Sequence, residues 1–420
     1  MRPCLFAQSP RGTGAARRRP WGAHKAALAA VGAAACLAAN LSFAQGKEPL
    51  RVGVATAMSG AYAVLHGEVK RSIEFAVAEA NARGGIDGGR KIEVRFLDSE
   101  VKPDVARKQA EKLALEGFNV LTGTISSGEI MAIGPMLERW DAVMVSTFAK
   151  NSKITGDSCQ TRLFRVNQGD AQDIAVIKPW LATRKEKKWA ILAADVAWGR
   201  EIGKNFKEAA VADGRTLLSE NYSAFGTNDF APFIQQLKTA APEGVFVALS
   251  GRDSINFLNQ AKQFGLLDQV TIGGVSINLD SNIRAVGAAA KGIWGNMNYS
   301  PSIDTPQNKR FVEAWRKMYN GDDPTDLEGE NYVGMQVIVQ AVERAKSVKP
   351  IDIAKALHGG TFDTVFGQVT IRAEDHQMIL PNFFGTVAES GGKLRNTVTL
   401  AVSADKATPP PDGSCKMGKL

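Results

Sequence analysis

The chain has 420 residues, of which 44% are hydrophobic and 22% are charged, a composition typical of a globular protein with about two to three domains. Its formal charge of +8 is concentrated at the N-terminus, because the first 44 residues carry six basic residues and no acid. The remainder carries 45 basic and 43 acidic residues, and this near-neutral balance excludes the basic surface of a nucleic-acid-binding protein.

The N-terminal segment has the three parts of a secretory signal peptide. A basic region ends at Lys25, an apolar run covers 26–39, and the small residues Ser42 and Ala44 flank Phe43 at an A-x-A-like cleavage site. We therefore expect cleavage after Ala44 and an exported mature protein without a membrane-spanning segment. An uncleaved anchor is the alternative, although the run is short for a bilayer span.

Two of the four cysteines, Cys4 and Cys36, lie in this signal. Cys159 and Cys415 remain as an even pair in an oxidising compartment, which predicts a disulfide between them, with two unrelated thiols as the alternative. The chain contains no C-x-x-C or H-E-x-x-H motif and no His/Cys cluster, so the sequence predicts no metal site.

The first half of the mature chain alternates between strands and helices. Apolar patterning predicts strands at 50–57, 91–97, 120–122 and 142–147 and helices at 67–82, 104–116 and 130–140. Short β-α-β spacing of this kind is typical of a parallel sheet with helices on both faces.

The same alternation restarts after residue 168. The expected helices cover 172–183, 199–213, 229–239 and 254–264, and the expected strands cover 188–194, 216–222, 244–249 and 270–273. A mostly helical stretch follows at 306–357, and antiparallel-type strands follow at 365–371, 382–388 and 397–402. The sequence therefore predicts two doubly wound α/β lobes.

Doubly wound lobes bind ligands at the carboxyl ends of their strands, and the largest cleft of a two-lobed chain is expected between the lobes. Residues that follow strands are therefore the candidate ligand contacts: Ser126, Ser127, Phe148 and Lys150 in the first lobe, and Trp198, Ser250, Arg252 and Ser276 in the second. The Ser-Ser-Gly turn after strand 120–122 offers hydroxyls and free N–H groups suited to a carboxylate or phosphate. Alternatively, these serines only cap a helix.

Enzyme signatures are missing from the sequence. The turn after the first strand lacks G-x-G-x-x-G, and no phosphate-binding loop or G-x-S-x-G motif occurs anywhere in the chain. The histidines have no nucleophile at a readable spacing. We therefore expect a protein that is not an enzyme and has no cofactor, with an unrecognised catalytic constellation as the alternative.

Six short motifs follow one another along residues 50–403, at 58–67, 79–86, 123–127, 198–199, 227–231 and 372–377. In this order and at this spacing they resemble the branched-chain amino acid (leucine/isoleucine/valine) class of periplasmic solute-binding proteins of ABC importers. The resemblance implies the type I fold of these proteins, in which three hinge crossings join the lobes. They would fall near 165–167, 296–300 and 378–382. The expected domains are a signal peptide (1–44), lobe 1 (45–165 plus 300–378) and lobe 2 (166–298 plus 380–415).

The resemblance also implies how such a protein works. A small ligand is captured between open lobes, the lobes close by hinge motion, and the closed form docks on an inner-membrane ABC permease. We accordingly expect a periplasmic monomer that binds a small molecule. A ligand sensor of the same fold that presents its closed form to a receptor or kinase is the alternative.

Matching the ligand contacts of amino-acid binders onto this chain gives a mixed result. Ser127 matches the serine that holds the α-carboxylate, and Trp198 before a glycine matches the aromatic residue that covers the ligand. An Ala-x-Thr pair is replaced by Phe148-Ala-Lys150, and no acid stands at about Val275 or Ser276 to pair with an α-ammonium.

These departures favour an organic acid, aromatic or dicarboxylic, over a standard amino acid. A buried ammonium without a partner costs several kcal/mol, and Lys150 beside it would add to that cost. Phe148, Trp198 and Tyr62 would form apolar walls, while Lys150, His66 or Arg252 would face a second polar group. Alternatively, Lys150 and Arg252 lie on the solvated rim, His66 is only a residue of the first loop, and Phe148 packs in the core. The amino-acid alternative stays open because Glu129 or Asp195 could replace the missing acid.

Overall fold

The computed structural model describes residues 47–411 and 413–420, and the predicted signal peptide with its cleavage site lies outside them. Fourteen strands are described: β1 (Leu50–Thr56), β2 (Ile92–Asp98), β3 (Val120–Thr122), β4 (Val143–Ser146), β5 (Leu163–Arg165), β6 (Lys188–Ala194), β7 (Thr216–Ser223), β8 (Gly244–Ala248), β9 (Thr271–Val275), β10 (Trp294–Met297), β11 (Thr361–Thr364), β12 (Gly367–Thr370), β13 (Asn382–Ser390) and β14 (Lys393–Val402).

Twelve α-helices are described in the same part of the chain: α1 (Ala63–Ala82), α2 (Pro103–Leu115), α3 (Ser127–Ile133), α4 (Asp170–Ala182), α5 (Ala197–Ala212), α6 (Ala231–Ala240), α7 (Arg252–Gln263), α8 (Asp280–Val286), α9 (Pro306–Met318), α10 (Asp326–Ala345), α11 (Pro350–Leu357) and α12 (Ala404–Ala407). Within these residues, no helix combines the length and the apolar character needed to cross a bilayer.

The strands form two separate large sheets, as the sequence predicts. The first sheet is wholly parallel with the order β2-β1-β3-β4-β5. The second has the order β14-β13-β10-β9-β8-β6-β7, in which β6 to β10 are parallel and β13 and β14 are antiparallel additions. Strands such as 244–248 are buried at every position, as expected for a parallel sheet that has helices on both faces. The prediction of two doubly wound α/β lobes is confirmed.

The helical stretch at 306–357 belongs to the first lobe. Phe311 of α9 stacks on Tyr332 of α10 with ring centroids 4.0 Å apart, and both rings pack against Phe75 of α1. Each buried aromatic or aliphatic side chain of this kind contributes roughly 1.5–3 kcal/mol. Helices encoded far along the chain therefore complete the core that β1 and α1 begin.

The chain passes between the two sheets three times: after β5, after β10 and before β13. The first and third passages lie side by side, because the Arg165 N–H donates to the carbonyl of His376 (3.0 Å) and the Met378 N–H donates to that of Arg165 (2.9 Å). These passages coincide with the expected hinge crossings, whereas the exact limits of the two lobes stay a prediction.

Two local expectations are corrected by the structure. The expected strand 365–371 is a hairpin of β11 and β12 that turns before Gly367, whose φ of +83° favours glycine. The expected helix 130–140 is shorter and earlier, since α3 ends at Ile133 and Pro135 enforces a 3-10 turn over Gly134–Met136.

The predicted disulfide between Cys159 and Cys415 is present, with the two Cα atoms 5.6 Å apart. This separation is ordinary for a disulfide. The bond fastens the C-terminal tail, which leaves the second sheet after β14, to the segment between β4 and β5 of the first lobe.

Candidate functional site

A cleft with a volume of about 280 Å³ lies between the lobes. It is bounded by the segments that follow β3 and β4 in one sheet and β6, β8 and β9 in the other. Eight of the predicted contacts line it together: Tyr62, Ser126, Ser127, Phe148, Lys150, Trp198, Ser250 and Ser276. The cleft therefore stands where the strand order predicts it, and its size suits a small molecule.

The serine turn forms the first-lobe wall. Gly123, with a φ of +72°, passes so close to the core that a Cβ atom there would lie 2.8 Å from Val54. The chain then reaches Ser126, whose N–H is bound by the Glu129 carboxylate at 3.1 Å. The Ser127 hydroxyl oxygen accepts the Asn151 N–H at 3.2 Å, which leaves the hydroxyl hydrogen to be donated to a ligand. Ser126 thus begins a helix, and Ser127 is the better ligand contact.

Lys150 lines the cleft, but its charge is already used within the protein. Its ammonium donates to Asp173 at 2.9 Å and to the side-chain oxygen of Asn298 at 3.0 Å, and the residue is only 4% exposed. Burial alone would lower the pKa of Lys150, but the charges of Asp173 and Glu330 outweigh it and raise that pKa. The expectation that Lys150 faces a polar group of the ligand stays a prediction, and the structure adds that its ammonium is already ion-paired with Asp173.

Trp198 and Ser250 supply the opposite wall. Trp198 lies in the first turn of α5, which approaches the end of β6 so closely that a Cβ atom at Gly199 would lie 2.1 Å from the Ala194 carbonyl oxygen. Ser250 follows β8 and precedes Gly251, whose φ is +60°. The Trp198 indole N–H and the Ser250 hydroxyl are buried and have no hydrogen-bond partner in the protein.

Two further cleft residues have strained backbones. Val101 has a φ of +57°, an outlier for a β-branched residue, and Ser276 has a φ of +61°. Strain of this kind persists where the surroundings over-determine a conformation, and it concentrates at ligand-binding sites.

The sequence reasoning missed several apolar lining residues, of which Phe225 is the most informative. Its ring meets that of Tyr62 edge-on with centroids 5.0 Å apart, so the pair joins the two lobes across the cleft. Phe225 lies in the loop between β7 and α6. A large aromatic residue in a loop of small and polar residues is the signal that could have identified it.

Two predicted contacts, His66 and Arg252, are not brought into the cleft. His66 is on α1, where its ring meets Phe96 with centroids 6.2 Å apart, and burial lowers its pKa. Arg252 begins α7 with an exposed side chain, and its backbone N–H donates to the Ala61 carbonyl at 2.9 Å. Arg252 therefore bridges the lobes at the rim through its backbone.

No carboxylate lines the cleft in the described part of the chain. Glu129 lies fully buried behind Ser126, and burial raises its pKa to about 7. Asp195 is half exposed and paired with Arg200 at 2.6 Å. Neither substitute for the missing acid lines the cleft, and within the described residues no three His, Cys, Asp or Glu side chains are grouped to hold a metal ion.

The lobes also contact each other directly. Glu68 of α1 is ion-paired with Arg284 of α8, and the Asn151 side chain donates to the Ala197 carbonyl at 3.0 Å. Together with the ring contact described above, these bonds connect the first lobe to the second at three places.

Comparisons with known proteins agree with this architecture. A family model described as "Periplasmic binding protein" matches residues 49–393. The Leu/Ile/Val-binding protein homolog 6 of Brucella melitensis biotype 1 is 28% identical over 378 residues, which cover 87% of this chain and 93% of that protein.

Two solved structures have the same fold. A solute binding protein of an ABC transporter from Rhodopseudomonas palustris BisB5, in complex with 3,4-dihydroxybenzoic acid, has a TM-score of 0.78 and 24% identity, covering 85% of this chain and 98% of that one. Another solute binding protein from R. palustris, in complex with benzoate, has a TM-score of 0.77 and 23% identity, covering 88% and 99%.

Proposed function

The chain belongs to the periplasmic binding protein family, and from that premise we propose that it captures a small organic acid between its lobes and delivers it to an inner-membrane ABC permease. The proposed acid is aromatic. The lobes correspond in this proposal to residues 45–165 plus 300–378 and 166–298 plus 380–415, and the protein acts in the periplasm as a monomer.

The chemistry of the cleft wall carries this proposal. The wall combines hydroxyl groups and aromatic rings, contains no carboxylate among the described residues, and has one cation that Asp173 already neutralises. An amino acid would bring an ammonium group that finds no anion here, at a cost of several kcal/mol. A simple carboxylic acid brings only a carboxylate, which the Ser127 hydroxyl can bind.

The rest of such a ligand would contact flat apolar surfaces. Phe148 and Trp198 are both more than nine-tenths buried and face one cleft, with Tyr62 beside them. A ring held between aromatic side chains gains apolar burial and edge or stacking contacts worth about 0.5–1.5 kcal/mol per pair. The ligands bound in the two R. palustris proteins, 3,4-dihydroxybenzoic acid and benzoate, support the choice of an aromatic acid.

Binding and closure are coupled in this proposal. Ser127 belongs to the first lobe and Trp198 to the second, so one small molecule contacts both lobes only when they are closed. A ligand shifts an equilibrium by its differential affinity for the two forms, and the closed form is then the one that the permease recognises.

The second candidate is a branched-chain amino acid, which the Brucella relative, a Leu/Ile/Val-binding protein homolog, favours. A thermal-shift screen of the mature protein against benzoate, 4-hydroxybenzoate, succinate and leucine distinguishes the two. A ligand at 100 times its Kd stabilises by about 2.7 kcal/mol. Strong stabilisation by leucine, with the aromatic acids inert, would refute the proposal.

Ser127→Ala tests the assigned carboxylate contact. A hydrogen bond to a charged group contributes about 1.5–3 kcal/mol, so this variant should bind the acid roughly 10–100-fold more weakly. Ser390→Ala, at the exposed end of β13, is the matched control and should bind as the unmodified protein does. Equal affinities for all three proteins would place the carboxylate elsewhere.

A further inference from the structure

The start of α7 contacts the first lobe directly beside the ligand cleft. The backbone N–H of Arg252, the first residue of this helix, donates to the Ala61 carbonyl at 2.9 Å. Their chain neighbours Ser250 and Tyr62 both line the cleft. The first N–H groups of a helix have no acceptor within the helix, and here the other lobe supplies one. If the lobes separate, this N–H loses its acceptor in the protein.

Gly251 permits this approach because it has no side chain. A Cβ atom on Gly251 would lie 2.6 Å from the Ala61 carbonyl oxygen and 2.8 Å from the ring of Tyr62. The first distance falls about 0.8 Å short of the 3.4 Å at which ordinary van der Waals contact begins. A carbonyl oxygen belongs to the main chain and cannot rotate away as the end of a side chain can. The two lobes would therefore have to move apart to admit a side chain.

The second-lobe side of this contact is held together as a unit. The Asp253 carboxylate accepts the Gly226 N–H at 3.0 Å, which ties the loop that carries Phe225 to the first turn of α7. Tyr62 of the first lobe lies against both Gly251 and the Phe225 ring. Because Tyr62 and Phe225 both line the cleft, any widening of the gap at Gly251 also moves a wall of the cleft.

We propose, resting on the proposed function above, that Gly251 is a positioning residue for ligand capture. Its missing side chain lets the lobes approach until the Arg252 N–H binds the Ala61 carbonyl. At this separation one small molecule contacts Ser127 of the first lobe and Trp198 of the second together. A side chain at position 251 is then a spacer between the lobes, and it weakens every ligand that needs both of them, whatever the chemistry of that ligand.

The experiment is isothermal titration calorimetry of the mature protein and its Gly251→Ala variant, with benzoate and separately with leucine as probes. The variant should bind whichever probe the unmodified protein binds roughly 10–100-fold more weakly. The physical reason is that only the fraction of molecules whose lobes reach the required separation is competent to bind.

Gly287 provides a matched control for backbone strain. Its φ and ψ of +57° and −126° are close to the +60° and −136° of Gly251, but a Cβ atom there would have no neighbour within 4 Å. Alanine is strained at both positions, since both have positive φ. Gly287→Ala should therefore lose stability in urea unfolding and yet bind the probe as the unmodified protein does.

Arg252 provides a second pair of variants, which adds no side chain at Gly251. Arg252→Pro removes the N–H and puts a ring carbon in its place, at the first helical position, where proline is tolerated. Arg252→Ala removes the exposed side chain and keeps the N–H. Arg252→Ala should therefore bind the probe at least about 10-fold more tightly than Arg252→Pro.

Hydrogen exchange gives a readout that does not depend on the probe. The Arg252 amide should exchange faster in Gly251→Ala than in Gly287→Ala, with the probe present or absent, because its acceptor lies in the other lobe.

Three results overturn the inference. Gly251→Ala binding the probe as tightly as Gly287→Ala would show that the lobes tolerate a side chain at this contact. Equal affinities of Arg252→Pro and Arg252→Ala, or equal exchange of the Arg252 amide in the two alanine variants of glycine, would show that its hydrogen bond is not needed. Binding of leucine in place of benzoate would refute the proposed aromatic acid but leave the comparison of Gly251 with Gly287 intact, so the two failures are distinguishable.

Discussion

The buried ion pair of Lys150 predicts that replacing this residue destabilises the fold and does not change which ligand charge is preferred. Lys150→Met removes a cation that lies 2.9 Å from Asp173, in a pair whose side chains are 4% and 0% exposed. Methionine keeps most of the apolar stem. The variant therefore isolates the loss of charge.

The size of the destabilisation follows from the buried carboxylate that loses its cation. Asp173 would keep hydrogen bonds from Asn296 (3.0 Å) and Asn382 (3.1 Å) but lose its only ion-pair partner among the described residues. Glu330, whose pKa burial already raises well above the usual range, lies in the same cluster. Breaking a buried pair costs about 3–5 kcal/mol, a large share of a typical unfolding free energy of roughly 5–15 kcal/mol.

The assay is urea unfolding of Lys150→Met, Asp173→Asn and the double variant, analysed as a double-mutant cycle. We expect a coupling energy of about 2–3 kcal/mol. The exposed pair Arg200–Asp195, with side chains 52% and 46% exposed, is the control cycle and should show far less coupling.

A Lys150→Met protein that unfolds at the same urea concentration as the unmodified protein, with acid binding abolished, would refute this reasoning. It would show instead that the ammonium serves the ligand. Unchanged acid binding per folded molecule, with lowered stability, is the expected result.

Two further predictions concern Glu129 and the disulfide. Burial raises the pKa of Glu129 from 4.5 to about 7, so its stabilising contribution is full below pH 4.5 and is lost as the pH rises through 7. Glu129→Gln keeps a residue able to cap α3 but does not titrate. Its unfolding free energy, measured by urea unfolding at each pH, should therefore rise by about 3 kcal/mol relative to that of the unmodified protein between pH 4.5 and 8. A stability difference that stays flat over this range contradicts the assignment. Cys159→Ser should lower the unfolding free energy by about 2–4 kcal/mol in non-reducing buffer, and Cys415→Ser should match it. Under reducing conditions all three proteins should unfold alike, and a Cys159→Ser protein as stable as the oxidised protein would contradict a structural role for the bond.

Much of the fold is predictable because local patterning and the strand order are read directly from the chain. The alternation of strands and helices predicts both parallel sheets. The rule that ligands bind at the carboxyl ends of strands names eight candidate residues, of which seven line one cleft, and Tyr62, named from the family resemblance, lines it too. The pairing of Cys159 with Cys415 follows from having only two cysteines outside the signal.

The remainder depends on long-range contacts and on helix starts. Lys150 lines the cleft as expected, but no sequence signal shows that its ammonium also contacts Asp173 and Asn298, which are 23 and 148 residues away. His66 was expected in a loop, but α1 begins at Ala63 and makes it a helix residue. Arg252 was expected before a helix that in fact begins with it. The helices that carry His66 and Arg252 begin four and two residues earlier than predicted, and neither side chain lines the cleft.

The C-terminal tail adds a fourth, covalent connection between the lobes, alongside the three passages of the main chain. It runs beside them, since the Arg372 guanidinium donates to the Pro409 carbonyl at 2.7 Å before the chain reaches Cys415. A link close to a rotation axis lengthens little when the lobes swing apart, but it strains at once if they twist or slide. We therefore expect the bond to restrict twisting and sliding of the lobes more than it restricts their opening.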